Sequence, residues 1–414
     1  MSVLVIGGGA AGCLAAVMLA RGGEAVTLLE KNARIGRKIY ITGKGRCNLT
    51  ADFPPQDFLN KVVRGEKFLR SAVYGFSPED TKEFFNALGV ELVTERGGRV
   101  FPASQKSTTI IDALSRALDI AGVRLETGAE VVSVGGEKGA FTARTADGKE
   151  YRADYLVVAT GGMSYPSTGS TGDGYAFAKE FGHSVVKPVP SLAQLVTVED
   201  VSALKGLSLR NVTLSAYSPD GKKLASEFGE MLFTDKGLSG PVALSVSARV
   251  NRASGVTLSL DLKPALSREK LEARILRDFS ERTNADVGNA MRALLPARLD
   301  LFVLKKAGIA PAKKVNSVTR EERGRIVDTL GNLRFGLHCV APFEEAVVTS
   351  GGVELKELTP ACGSRIKDGL YFAGEVVDVD ALTGGYNMQI AFSTAAAVAR
   401  NILKREGRDS ACAR

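Results

Sequence analysis

Gly7, Gly9 and Gly12 stand at the first, third and sixth places of Gly7-Gly8-Gly9-Ala10-Ala11-Gly12, and Glu30 follows in the next strand. Each does a separate job around a pyrophosphate. Gly7 permits a tight turn, Gly9 lets backbone amides approach the phosphates, and Gly12 lets a helix pack closely on a strand. Ala11 lies in the first helical turn, where the helix dipole favours negative charge. Glu30, about 20 residues beyond the glycines, can accept hydrogen bonds from a ribose diol. The chemistry is dinucleotide binding.

These residues need a strand, a turn, a helix and a second strand. Val3-Leu4-Val5-Ile6 reads as the first strand and Ala10 to Arg21 as the helix, stopped by Gly22-Gly23. Ala25-Val26-Thr27-Leu28-Leu29 runs into Glu30 as the second strand. Further on, Phe68 to Leu88 and Ser107 to Ala121 have helical apolar spacing, and Val123 to Val134 reads as a strand. Val131 and Val132, in that segment, are added to the expected cofactor contacts. Phe141 to Arg152 carries the hairpin signal Ala146-Asp147-Gly148. Asp154 to Ala159 reads as a buried strand ending in Thr160-Gly161-Gly162, which places Thr160 and Gly161 at the ligand crevice.

The composition shifts at Lys187-Pro188-Val189-Pro190. Leu195 to Val198, Val212 to Tyr217, Glu230 to Phe233 and Val256 to Leu262 alternate as half-exposed strands, with Pro219-Asp220-Gly221 as a turn. The period is helical from Arg268 to Leu330. Short strands resume at Phe335 to Val340 and Glu345 to Thr349. Gly369 to Glu375 reads as a strand ending in Gly-acid, and Tyr386 to Arg405 as a long helix. The expected fold is α/β: a discontinuous Rossmann-like FAD-binding domain, with an inserted antiparallel β-barrel domain that carries a helical insert. Residues 1–187 form the first part of the FAD-binding domain and 346–414 its C-terminal part. Residues 188–265 and 333–345 form the barrel, and 266–332 the helical insert.

The 414 residues are 44% apolar and 24% charged, an ordinary balance for a globular protein with a large core. No apolar run is long enough to span a bilayer, and Val3 to Ile6 lacks the basic flank of a signal peptide. Cys13, Cys47, Cys339, Cys362 and Cys412 include no C-x-x-C pair. That pattern argues against a disulfide framework, a zinc site or a dithiol motif and fits a reducing cytoplasm. The net charge of +8 and pI near 9.1 invite a nucleic-acid reading, but the basic residues are dispersed. We expect a small-molecule substrate and no nucleic-acid partner. Nothing in the sequence sets the oligomeric state.

Further motifs are Gly36-Arg37-Lys38, Gly43-Lys44-Gly45-Arg46-Cys47-Asn48-Leu49-Thr50 and Gly169-Ser170-Thr171-Gly172-Asp173-Gly174. To these add Leu232-Phe233-Thr234, Gly237-Leu238-Ser239-Gly240-Pro241, Ala373-Gly374-Glu375 and Thr383-Gly384-Gly385-Tyr386-Asn387-Met388-Gln389. From Val3 to about Arg400 the chain resembles a bacterial NAD(P)/FAD-dependent oxidoreductase family, with members described as a 3-dehydro-bile-acid reductase and an aminoacetone oxidase. The resemblance implies two-dinucleotide-binding-domain flavoproteins, FAD, a β-barrel domain and a helical insert. Two departures matter. Asp235 stands where the family commonly has His, and Ala361-Cys362-Gly363-Ser364 where it has Met-Glu-Ser. An acid/base role for that histidine therefore does not carry over.

Lys31 joins Glu30 among the candidate cofactor contacts. Arg37 and Lys38 are read as neutralising phosphate and adenosine. Gly43, Gly45, Arg46, Cys47 and Asn48 form a loop against a flavin edge, with Cys47 read as packing. Gly374 and Glu375 end the last strand, while Gly385, Asn387 and Met388 open the last helix, whose amides would face flavin N1 and O2. Asp173 either faces the cofactor or caps a helix beginning at Tyr175. His183 and His338 are read as structural. The function expected is FAD-dependent hydride transfer to or from a small organic substrate, with NAD(P)H as a transient co-substrate. The alternatives are an oxygen-using oxidase of an amine or hydroxy acid and, from another class, a flavin-dependent RNA-modifying or RNA-binding protein.

Overall fold

Alternation along Ser2–Ile6 decides how the nucleotide-binding half is layered. In this computed structural model, which describes residues 1–408, Val3 and Val5 face one side of a sheet and Leu4 and Ile6 the other. The sheet has five strands in the order Leu370–Phe372, Tyr155–Val158, Ser2–Ile6, Ala25–Glu30, Arg124–Thr127. Its neighbours pair in parallel, with Val3 opposite Tyr155 and Val26. On the Val3 side lie the helices Ala10–Arg21, Ser107–Ile120 and Tyr386–Arg405. On the Leu4 side, Val131, Phe141, Ala143 and Ala153 of a three-stranded antiparallel sheet pack with Tyr175 and Phe177. A strand buried on both faces must be apolar throughout, which is why these runs do not alternate with polar residues.

The chain divides into two compact units. One takes in Met1–Pro190 and returns from Phe343; the other is Ser191–Pro342. In the second, six antiparallel strands close a barrel in the order Leu195–Thr197, Gly237–Ser239, Lys223–Phe233, Ser208–Tyr217, Thr257–Asp261, Leu333–Val340. Gly221, at a φ of 82°, completes the turn of the long hairpin. Four helices follow the fifth strand: Arg268–Ser280, Val287–Met291, Ala297–Lys306 and Arg320–Gly331. Thr319 and Glu322 form a capping box that starts the last of them.

Several elements differ from the sequence reading. Phe68 to Leu88 is two helices, Glu66–Gly75 and Pro78–Ala87. Ser77 and Asp80 form a capping box and Pro78 occupies a first-turn position, so a new helix starts there. Val123 to Val134 is two strands in different sheets, because Gly128 (φ 70°) turns the chain between them. The strand expected at Glu345 to Thr349 is Val348–Val353, after a turn in which the Ala346 amide donates to the Phe343 carbonyl. Gly240–Val250, read only as a motif, is a helix with Pro241 in its first turn, and its Val242, Ala243 and Val246 fill the barrel unit's core. Cys412 lies outside the described residues. Among the described residues no helix is long and apolar enough to cross a membrane.

Asp300 is a local cost within the helical insert. It is 1% exposed, and its Oδ2 has no hydrogen-bond partner. Burial raises its pKa above the usual 3.8. The folded chain therefore holds this proton at pH values where the unfolded chain has released it, and stability falls as pH rises above about 4. Asp300→Asn is expected to be more stable than wild type at pH 7 by about 1–3 kcal/mol. The difference should vanish near pH 3.5. Urea unfolding at the two pH values checks this; equal stability at pH 7 would show that the carboxylate is solvated.

Candidate functional site

The glycines of the first turn are under three different constraints. Gly7 sits at φ 107°, and a Cβ on it would lie 2.5 Å from the Ala159 carbonyl oxygen. A Cβ on Gly12 would lie 1.9 Å from the Gly7 oxygen. The helix thus approaches the first strand too closely for any side chain. Gly9 has ordinary backbone angles, φ −84° and ψ −169°, and nothing within 4 Å of where its Cβ would stand. Nothing within the chain requires glycine there. The helix it caps has no side-chain cap and no acid in its first turn, so its first amides are open to an anion.

Glu30, 7% exposed, is held by three donors. Its Oε2 accepts from the Gly8 amide at 2.8 Å, and its Oε1 accepts from the Asn32 amide at 2.7 Å and Asn32 Nδ2 at 2.6 Å. A carboxylate offers about four acceptor sites, so one is left for a ribose hydroxyl. The same residue therefore shapes the turn and can read the sugar. Lys31 pairs with Asp173 at 2.6 Å, and Lys38 with Glu375 at 2.6 Å. Arg37 is exposed, and its guanidinium donates to Asn32 Oδ1 at 3.0 Å. Of the three cations it has the most donors to spare for a phosphate. Asp173 does not cap a helix at Tyr175: the helix begins at Asp173 itself, and the carboxylate takes Lys31 and the Thr171 hydroxyl.

Beside Glu30, the Gly128 amide donates to the Asn32 carbonyl and the Ala129 amide to that of Glu30. Val131 is buried a short way on, whereas the Val132 side chain is exposed and offers only its backbone to this region. Across the crevice, Gly161 adopts a φ of 76°, and the buried Thr160 Oγ1 has no partner.

The loop after Ile41 winds through left-handed angles at Gly43, Lys44, Gly45 and Cys47. Arg46 is engaged within the chain: it donates to Glu95 and Gln105 at 2.8 Å and lies 4.1 Å over the Phe101 ring. Cys47 is fully buried, and burial pushes its thiol up to about 12. It stays protonated and unreactive. Asn48 Oδ1 is buried without a partner. It lies 3.0 Å from where a Gly385 Cβ would stand, while the Thr50 carbonyl oxygen lies 2.4 Å from that point. Only glycine lets the helix Tyr386–Arg405 start so close to this loop.

That helix has no side-chain cap and no acid in its first turn. The Asn387 side chain is occupied: Oδ1 accepts from the Ala381 amide, and Nδ2 donates to the Ala381 carbonyl. It pins the preceding turn, leaving backbone amides to face a ligand. Met388 is partly buried against the neighbouring helices. Gln389, quoted above only as part of a motif, is fully buried. It accepts from the Thr50 and Thr81 hydroxyls and donates to the Phe76 carbonyl and Ser393. A polar run entering an alanine-rich helix was its only sequence signal.

Glu375 is the meeting point of four segments. Its Oε2 accepts from Lys38, 337 residues away, and its Oε1 from the Ser164 hydroxyl at 2.8 Å and the Thr349 amide at 2.7 Å. Thr349 Oγ1 accepts in turn from the Met163 and Ser164 amides. Neither Ser164 nor Thr349 lies in a readable motif. His183 is buried between Glu357 at 3.1 Å and Ser364 at 2.7 Å, and burial lowers its pKa below 6.5 against the pull of Glu357. His338 is exposed on a barrel strand.

The open flank of Gly9, the uncapped helix starts and the unpartnered Asn48 Oδ1 and Thr160 Oγ1 fit a long dinucleotide with a polar ring system. The fold and site define a Rossmann-type flavoprotein oxidoreductase. The chain belongs to the HI0933-like family: the description "HI0933-like protein Rossmann domain" matches residues 1–401. It is 30% identical over 402 residues to the 3-dehydro-bile acid delta(4,6)-reductase of Clostridium scindens, covering 94% of this chain and 96% of that protein. It is also 30% identical over 406 residues to the ribosomal RNA dihydrouridine synthase of Escherichia coli, covering 97% of each. Among solved structures it resembles a flavocytochrome c3 fumarate reductase at 18% identity and a TM-score of 0.48, covering 97% of this chain and 78% of that one.

Gly9→Ala separates ligand binding from folding. The apoprotein should unfold at the wild-type temperature, since the methyl group meets nothing. FAD affinity should fall at least about tenfold, or about 1.4 kcal/mol. Titration of the apoprotein checks this, and wild-type affinity would remove the phosphates from this turn.

Proposed function

We propose that this chain is an FAD-dependent reductase that adds hydrogen across a C=C bond conjugated to a carbonyl. The observation that carries the reading is the backbone-built cradle: a glycine turn whose Gly9 is constrained by nothing in the chain, beside a Glu30 with one acceptor site to spare. The chemistry comes from two relatives aligned along nearly their whole lengths. One is named for reducing ring double bonds in a 3-oxo bile acid, the other for making dihydrouridine. The reduced bond of uracil is conjugated to its C4 carbonyl, so both names describe the same kind of electron-poor alkene.

FAD, when bound, supplies hydride transfer at N5. The chain's part is position and electrostatics. Arg37 and the first amides of Ala10–Arg21 would hold the pyrophosphate, and Glu30 the adenosine ribose. The amides opening Tyr386–Arg405 would favour negative charge at the pyrimidine end of the flavin. Overall, one NAD(P)H and one proton add two hydrogens across the alkene and leave NAD(P)⁺.

A second reading places the alkene in RNA. It is favoured by the net charge of +8 and by the dihydrouridine synthases among the relatives, and it reverses the expectation of no nucleic-acid partner. Anaerobic enzyme, its flavin reduced in advance, should be reoxidised by a cyclic dienone or by deproteinised ribosomal RNA, and the product should gain two mass units. Reoxidation only by oxygen, with hydrogen peroxide formed in equal amount, would make the protein an oxidase instead.

A further inference from the structure

Reduction needs an electron donor, and the sequence has one G-x-G-x-x-G between strand and helix, already assigned to FAD. The same unit holds a second concave site. Tyr40, Ile41, Lys44 and Gly45 form one wall of a cavity of about 450 Å³, and Lys106 to Thr108 the other. Tyr40 and Ile41 are 57% and 38% exposed, so an aromatic and an aliphatic face are left uncovered. No acidic side chain lines the cavity. Among the described residues the ammonium groups of Lys44 and Lys106 have no ion pair or hydrogen bond, which leaves both free for an anion. Lys44 is held at φ 59°, a conformation that costs a non-glycine residue energy and fixes where its side chain leaves the loop.

The walls are tied together: the Ser107 hydroxyl donates to the Tyr40 carbonyl at 2.8 Å. Thr108 lies in the first turn of Ser107–Ile120, a helix with no side-chain cap and no acid in that turn, which adds to the positive potential of the two lysines. A Cβ on Gly45 would meet nothing within 4 Å. Gly45 belongs to the loop that runs on to Asn48, the residue that meets Gly385, so the cavity and the expected flavin edge share one loop.

We propose that this cavity docks the phosphate-bearing part of a pyridine dinucleotide, with a ring stacked on Tyr40 and phosphate oxygens on Lys44 and Lys106. Its volume is that of a site for one small ligand. A polynucleotide is held by an extended cationic track with several stacking rings, which two ammonium groups and the single ring of Tyr40 do not supply. The inference rests on the reductase reading above, because it supplies that reaction's reductant. The exchange balances: the hydride carries two electrons and one proton from NADPH to FAD, leaving NADP⁺.

Stopped-flow reduction of the FAD-loaded protein by NADPH tests it. Lys106→Glu and Lys44→Asn, the latter tolerant of left-handed backbone, should each raise half-saturating NADPH about tenfold. The limiting rate and the FAD content should be unchanged, and the salt dependence of saturation should weaken. Unchanged saturation in both variants would overturn the site. So would loss of FAD, which would make the cavity part of the flavin site. Weaker binding of a ribosomal RNA fragment with unchanged NADPH saturation would reassign the lysines to RNA. A wild-type protein that NADPH cannot reduce, yet which reduces an alkene after dithionite, would overturn this inference and leave the reductase reading standing.

Discussion

A single carboxylate, Glu375, is where the nucleotide-binding unit closes. It receives an ammonium from the segment after the second strand, a hydroxyl from the loop after Tyr155–Val158, and an amide from Val348–Val353. These segments come from opposite ends of the chain, with an entire barrel unit between them. Both charged side chains are about one-fifth exposed, and the pairing and the two neutral donors offset their partial loss of water.

Glu30 does the same at the other end of the crevice. It spends three of its acceptor sites on the glycine turn and Asn32, so the residue that can recognise a ribose also fixes the shape of the turn. A cradle built this way is preorganised by its own donors before any ligand arrives, and less ordering entropy opposes binding. The Gln389 network has a related role, holding Thr50 against Gly385 and so the flavin-side loop against the last helix.

The family joins proteins whose names point to a bile acid and to ribosomal RNA. A common cofactor cradle explains how this can be: the hydride chemistry belongs to the flavin, and the protein varies what it brings alongside.

Elements whose information is local can be read from the amino acids alone. The glycine run, Ala10–Arg21 and Tyr386–Arg405 were legible because a turn, a cap and a helical period each lie within a few residues. The barrel strands were legible from alternation, and the family from its motifs. Where a local signal was overlooked, as at Ser77-Pro78 or Pro241, the chain still obeyed it. Which charges are already taken shows only once the chain is folded. Arg46, read as part of the loop against a flavin edge, has its guanidinium engaged by Glu95, Gln105 and Phe101. The Asn387 side chain pins the turn before the last helix, and no local pattern announced that role. Nothing in the sequence marked Ser164 or Thr349 for their role at Glu375: both are ordinary residues made important by neighbours that are far away in sequence. Hydrogen bonds between distant segments depend on where the backbone places donor and acceptor in space, and no spacing along the chain encodes that.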